Sequence, residues 1–163
     1  VIYATVADMI SMFTERELIQ LTDPMSNAAI DTALVEGRIA DAQGVIDGWI
    51  GKVYRLPLRG CARPPATPGD PVTYSVPPQL VRIACDIARF YLYKDVAPDN
   101  VIYLRYKAAV AELQAIAEGK AGLSCPFGGL AGDLVGADAQ EGWEVRHSFS
   151  PRQITDDSTR GYA

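Results

Sequence analysis

Histidine occurs once in this 163-residue chain, at His147, and that scarcity leaves little room for metal or acid–base chemistry. The three cysteines, Cys61, Cys85 and Cys125, form no CxxC pair, whereas a zinc site takes four ligands at short paired spacings. They read as three reduced thiols. No apolar run approaches the ~18 residues of a membrane span, so no membrane association is expected. No charged-then-apolar signal segment opens the chain, and with Val1 first the initiator methionine is expected to have been removed or left out of the numbering. Basic residues are in the minority, 15 against 20 acidic, for a net charge of −5. That balance argues against tight, sequence-independent phosphate binding, which draws on clustered Lys and Arg.

Catalytic signatures are equally sparse. A Ser-His-Asp or Cys-His triad would have to use His147, and no Gly-x-Ser-x-Gly elbow precedes a helix. The run Gly128-Gly129-Leu130-Ala131-Gly132 lacks the Gly-Lys-Ser/Thr ending of a phosphate-binding loop and reads as a flexible linker. Catalytic, cofactor and metal residues are therefore expected to be absent, and the protein is expected not to be an enzyme.

What is present is helical. Hydrophobic residues make up 48% of the chain, enough for one ordinary domain core. Thr5-Val6-Ala7-Asp8 resembles a capping box with Asp in place of Glu, and Thr14-Glu15-Arg16-Glu17 repeats the device. After Asp23-Pro24, Ser26 or Asn27 is positioned to cap a long helix predicted from Asn27 to Tyr54, ~42 Å in length. Along it Ala33, Gly37, Ala40, Gly44, Gly48 and Gly51 fall three or four residues apart and draw one stripe. A mid-helix glycine costs about 1 kcal/mol relative to alanine, so the stripe calls for a compensating close approach of another backbone. With a broad apolar arc beside it, this helix reads as buried from more than one side. Asp31 and Arg38 interrupt the arc, as a buried or intersubunit polar contact or as an exposed stretch.

Residues 55–78 hold seven prolines, which rule out helix and make a central strand implausible. Arg55, Arg59 and Arg63 make this loop locally basic. Pro78 then opens a helix to about Lys94, with Leu80, Ile83, Ala84, Ile87, Ala88 and Tyr91 on its core face. Asp99 or Asn100 caps the next, which runs to Glu118 and closes at Gly119. Tyr91, Tyr93, Tyr103 and Tyr106 read as core and interface packing. From Lys120 glycine becomes frequent and the helical period is lost. Residues 142–163 partly alternate, with Trp143, Val145 and His147 on one side, and Phe149, Ile154 and Tyr162 follow.

The expected fold is mainly α: a small helical bundle around one long central helix, with a long Pro-rich loop and an extended or β C-terminal arm. The expected division is a helical core over 1–119 and a Gly-rich linker with extended arm over 120–163. Candidate subunit or partner contacts are Gly37, Gly44 and Gly48, Arg55, Arg59 and Arg63, and Trp143, Val145, Phe149, Ile154 and Tyr162.

Four stretches carry a family likeness. They are Tyr3 to Ile10 with Glu17 to Asp23, the long helix leading into Tyr54-Arg55-Leu56-Pro57-Leu58, Ile83 to Tyr93, and Arg105 to Ala109 with Leu113 to Gly119. Over roughly residues 3 to 119 the chain resembles a Mu-like prophage family, similar in plan to the head-to-tail connector (neck, head-completion) proteins of tailed bacteriophages. The resemblance implies a structural virion protein, assembled in the bacterial host cytoplasm, that forms a dodecameric homo-oligomer ring at the virion neck. It implies contacts with the portal protein and with tail, tail-terminator or neck proteins. DNA would pass through the channel without specific binding, and no catalytic residue is carried over. Two other readings stand beside it: a DNA-packaging accessory gripping DNA through Arg55, Arg59 and Arg63, and a small hydrolase pairing a cysteine with His147.

Overall fold

In the computed structural model residues 2–93 and 96–136 are described, and they form five helices and one short hairpin. Helix α1 (Val6–Met12) begins at a full capping box, with Asp8 returning its carboxylate to the Thr5 amide at 2.8 Å. Helix α2 (Glu15–Thr22) starts at Thr14, whose hydroxyl accepts from the Glu17 amide. The reciprocal half of that second box is missing, because the Glu17 carboxylate turns instead to Arg89 and Tyr93.

Helix α3 (Thr32–Ile50) is shorter at both ends than the expected 27–54. Upstream, the Asp23 carboxylate accepts from Ser26 N at 3.1 Å and Ala28 N at 3.2 Å, and Asn27 stands at a φ of 48°. That local side-chain-to-backbone turn competes with helix and wins. The cap is Asp31 rather than Ser26 or Asn27; its carboxylate accepts from Leu34 N at 3.1 Å. Downstream, Lys52 N and Val53 N bond only three residues back, and Tyr54 leaves to bridge Leu134. The 19 residues of α3 span about 28 Å. Arg38 pairs with Asp41 at 2.8 Å in solvent, so Asp31 and Arg38 are surface groups and not a buried contact.

Within 55–78, β1 (Cys61–Arg63) and β2 (Thr73–Ser75) pair antiparallel, Cys61 opposite Ser75 and Arg63 opposite Thr73. The prolines at 64, 65, 68 and 71 occupy the turn between them, where no ladder hydrogen bond is required. Helix α4 (Pro78–Leu92) carries Pro78 at its first turn, and α5 (Val101–Ala117) is capped by Asn100, which accepts from Ile102 N at 2.9 Å. Gly119, at a φ of 71°, ends it.

The core is one continuous cluster. Helix α4 is its axis, burying Leu80, Ile83, Ala84, Ile87 and Ala88 as its pattern requires, with Cys85, Asp86 and Leu92 in addition. Helices α3 and α5 pack against it and against each other, and the chain is the mainly α bundle expected. Among the described residues α3 is not enclosed from several sides: it buries Val35, Ile39, Ala42, Ile46 and Ile50 along a single face.

Residues 120–136 contain no helix, yet they pack on the core with Leu123 and Ala131 buried. The Gly-rich run expected as a flexible linker therefore ends in a core residue. Gly60 N donates to Ala131 O at 2.7 Å, Arg55 N to Asp133 O at 2.8 Å and Val135 N to Val53 O at 2.8 Å. This return path brings Cys61 and Cys125 to a Cα separation of 5.3 Å, joined as a disulfide. The expectation of three reduced cysteines is overturned, because a pairing across 64 residues leaves no trace in local spacing. Cys85 alone stays a thiol, and burial pushes it up to about 12. Trp143, Val145, His147, Phe149, Ile154 and Tyr162, the expected arm, lie outside the described residues.

Candidate functional site

The glycine stripe of α3 points away from the molecule. Ala33, Gly37, Ala40, Gly44 and Gly48 are all exposed, opposite the buried line from Val35 to Ile50. A Cβ added at Gly37, Gly44 or Gly48 would meet no atom within 4 Å. Among the described residues no element uses the close approach that these glycines permit. Gly51 differs, since a Cβ there would lie 2.8 Å from Asp47 O and 3.0 Å from Leu56 Cδ1. The stripe therefore splits into one packed C-terminal glycine and an open face. Beside that face lies an open groove of about 340 Å³, walled by Ile2, Ala4, Val6, Ile39 and Ala40 with Glu36 at its edge.

Helix α5 shows a second outward line. Val101, Leu104, Ala108 and Ala111 are exposed at spacings of three and four, Val101 to 65% and Leu104 to 51%. The two faces differ in shape and in charge. On α3 the side chains are absent or a single methyl, with Glu36 beside them; on α5 Val101 and Leu104 project, with Lys107 beside them. Among the described residues neither Glu36 nor Lys107 forms an ion pair.

The basic residues of the loop have different surroundings. Arg59 lies 4.6 Å over the Tyr74 ring and its guanidinium donates to the Tyr74 hydroxyl across the hairpin. Arg63 stands at the turn end of β1, and Arg55 precedes the hairpin with its amide on Asp133. The four tyrosines behave as packing groups. Phe90 stacks on Tyr106 at 4.1 Å between α4 and α5, with Tyr91 and Tyr103 at its edges, and the Tyr93 hydroxyl donates to Glu17 at 2.9 Å.

A buried charge cluster escapes the sequence reading. Asp86 is 3% exposed within the apolar face of α4. Arg105 Nε approaches its Oδ1 to 3.0 Å and Arg82 Nη1 its Oδ2 to 3.7 Å, yet Oδ1 receives no properly aimed hydrogen bond. Burial raises the Asp86 carboxyl above the usual range, and Arg105, Arg82 and Arg89 offset part of that rise. Arg82 also pairs with Glu112, and Arg89 pairs with Glu17 at 2.6 Å while lying 4.4 Å over the Phe13 ring. These contacts fasten α1, α2 and α5 onto α4. The sequence signal was an aspartate between Arg82 and Arg89 on an otherwise apolar face.

None of these groups is arranged as a nucleophile with a base. Among the described residues no group of His, Cys, Asp and Glu is positioned to hold a metal ion, and no helix is long and apolar enough to cross a membrane.

A family model described as Bacteriophage Mu, Gp36 matches residues 3–131. Over 119 residues the chain is 32% identical to "Gene product J" of Escherichia phage Mu, covering 72% of this chain and 73% of that protein. Over 142 residues it is 28% identical to "Mu-like prophage FluMu protein gp36" of Haemophilus influenzae (strain ATCC 51907 / DSM 11121 / KW20 / Rd), covering 87% and 86% respectively.

Proposed function

The chain belongs to the Bacteriophage Mu Gp36 family, and from that membership we propose that it is a non-catalytic structural protein of the virion neck. In this reading it forms a homo-oligomeric, dodecameric ring that joins the portal of the phage head to the tail and lets DNA pass. The observation that carries the reading is the open glycine face of α3, a smooth helix surface that no element among the described residues covers.

A subunit with two unlike uncovered helix faces fits a head-to-tail contact better than a two-fold one. The α5 line of Val101, Leu104, Ala108 and Ala111 on one copy has projections to set into the glycine face of the next, with Lys107 toward Glu36. Repeated around an axis, a heterologous contact closes into a ring when its rotation permits. The net charge of −5 suits a channel through which phosphate slides without being held. Residues 137–163 continue from Gly136, next to the Val135 to Val53 bond, and in this reading supply the contact with portal or tail proteins.

The test is assembly with its own portal. Sizing and electron microscopy of the pure protein, alone and mixed with portal, are expected to show a closed ring and a portal complex. A chain that stays monomeric and ignores portal and neck proteins contradicts the proposal.

A further inference from the structure

Cys61 and Cys125 are held together by more than their own bond. The segment that carries Cys125 is fastened on both sides of it: Leu123 N donates to the Tyr54 hydroxyl at 3.1 Å, and Ala131 O accepts from Gly60 N at 2.7 Å. Further along, Asp133 and Val135 bond to Arg55 and Val53. Leu123 and Ala131 are in addition buried in the core. These contacts bracket the two cysteines, whose Cα atoms lie 5.3 Å apart. The two sulfurs differ in access, since Cys61 is 1% exposed and Cys125 only half-buried. Cys85, the remaining thiol, is sealed in α4 and does not compete.

We propose that this pair is a redox-operated staple, open as two thiols in a reducing compartment and closed by a small-molecule disulfide in an oxidising one. Closing takes two exchange steps. The Cys125 thiolate, its proton given to solvent, attacks one sulfur of the small disulfide. A Cys125 mixed disulfide forms and one small thiolate leaves. The Cys61 thiolate then attacks the Cys125 sulfur and expels the second small thiolate. The two small thiolates take up the two protons. The cysteines are oxidised by two electrons and the reagent is reduced to two thiols.

The fold is complete before the step, so closing does not build the hairpin but fixes the 120–136 segment on it. It thereby fixes the point, Gly136, from which residues 137–163 continue. A staple of this kind allows the segment to be placed during assembly and held afterwards, when the particle meets an oxidising medium. That use rests on the proposed virion role, whereas the exchange chemistry concerns one subunit and does not depend on the ring.

The test uses the full chain purified with all thiols reduced, then treated with oxidised glutathione. Before treatment, the native protein is expected to show unchanged helical circular dichroism and to alkylate at Cys125 well before Cys61 or Cys85. After treatment, only Cys85 is expected to alkylate on denaturation. Amide exchange at Gly60 and Leu123 is expected to slow by about tenfold or more, as local opening is suppressed. Cys61→Ser and Cys125→Ser should fold but lose the exchange response, and Cys85→Ala should keep it. Three results overturn the proposal: a reduced chain that does not fold, a native pair that glutathione disulfide does not close, or a closed pair with unchanged exchange. None of these outcomes bears on whether the chain forms a ring.

Discussion

The Tyr54 hydroxyl, inside the core, accepts a hydrogen bond from the Leu123 amide at 3.1 Å. It joins the turn after α3 to a segment that composition alone assigns to a tail. Tyr54→Phe keeps the ring and leaves that buried N–H without a partner, which costs about 1–3 kcal/mol. The expected result is a lower urea midpoint with the same slope and faster exchange at Leu123. Unchanged exchange there would show that the segment is held without this bond.

The same packing makes 120–136 part of the folded unit. A chain ending at Gly136 keeps these contacts. One ending at Gly119 loses buried Leu123 and Ala131 together with the Cys61–Cys125 link. It should lose about 3 kcal/mol or more, through cavity, hydrogen bond and cross-link together. Equal midpoints for the two truncations would contradict the packing of 120–136.

Much of this chain is legible before any coordinates. Thr5 with Asp8, Pro78, Asn100 and Gly119 mark helix ends because caps are local chemistry. The apolar spacing of α4 yields its core face for the same reason. The misreadings are of two kinds, a local turn that outcompetes helix and a pairing between distant parts of the chain. The N-terminal end of α3 is decided by Asp23 folding back on Ser26 and Ala28, and the pairing of Cys61 with Cys125 by a chain return over 64 residues. The glycine stripe was visible, but not its direction. A smooth helix face suits a neighbour in the same subunit as well as one in another, and only the packing of α3 on α4 shows which side is left over.

The glycines separate into two classes that substitution can read. At Gly60, with a φ of 92°, a Cβ would stand 2.7 Å from Ser75 O. Gly60→Ala is expected to destabilise by about 2 kcal/mol or more, through backbone strain and the broken hairpin register. Gly37→Ala adds a methyl in open space on a helix and should stabilise the isolated subunit by about 0.5–1 kcal/mol. Thermal or urea unfolding of both variants checks the pair; the same sign for both would contradict the assigned packing.

Asp86 gives a pH dependence of definite sign. Its folded carboxyl titrates above the unfolded one, chiefly through burial. In the window above an ordinary aspartate value of about 3.9, the native state holds the more protons, and stability falls as pH rises. Asp86→Asn removes that contribution. Urea unfolding from pH 4 upward should therefore show wild type losing stability relative to Asp86→Asn as pH increases. A difference that is flat, or that grows the other way, would mean that Arg105 and Arg82 outweigh burial.

The central claim is that the outward face of α3 is the contact between copies, and Gly44→Leu tests it most directly. Nothing lies within 4 Å of a Cβ at Gly44, so the substituted subunit is expected to fold with full helical signal and an undiminished unfolding midpoint. Native mass spectrometry should then find wild type as a closed ring and Gly44→Leu as folded monomers. A Gly44→Leu chain that still closes the same ring would contradict the account.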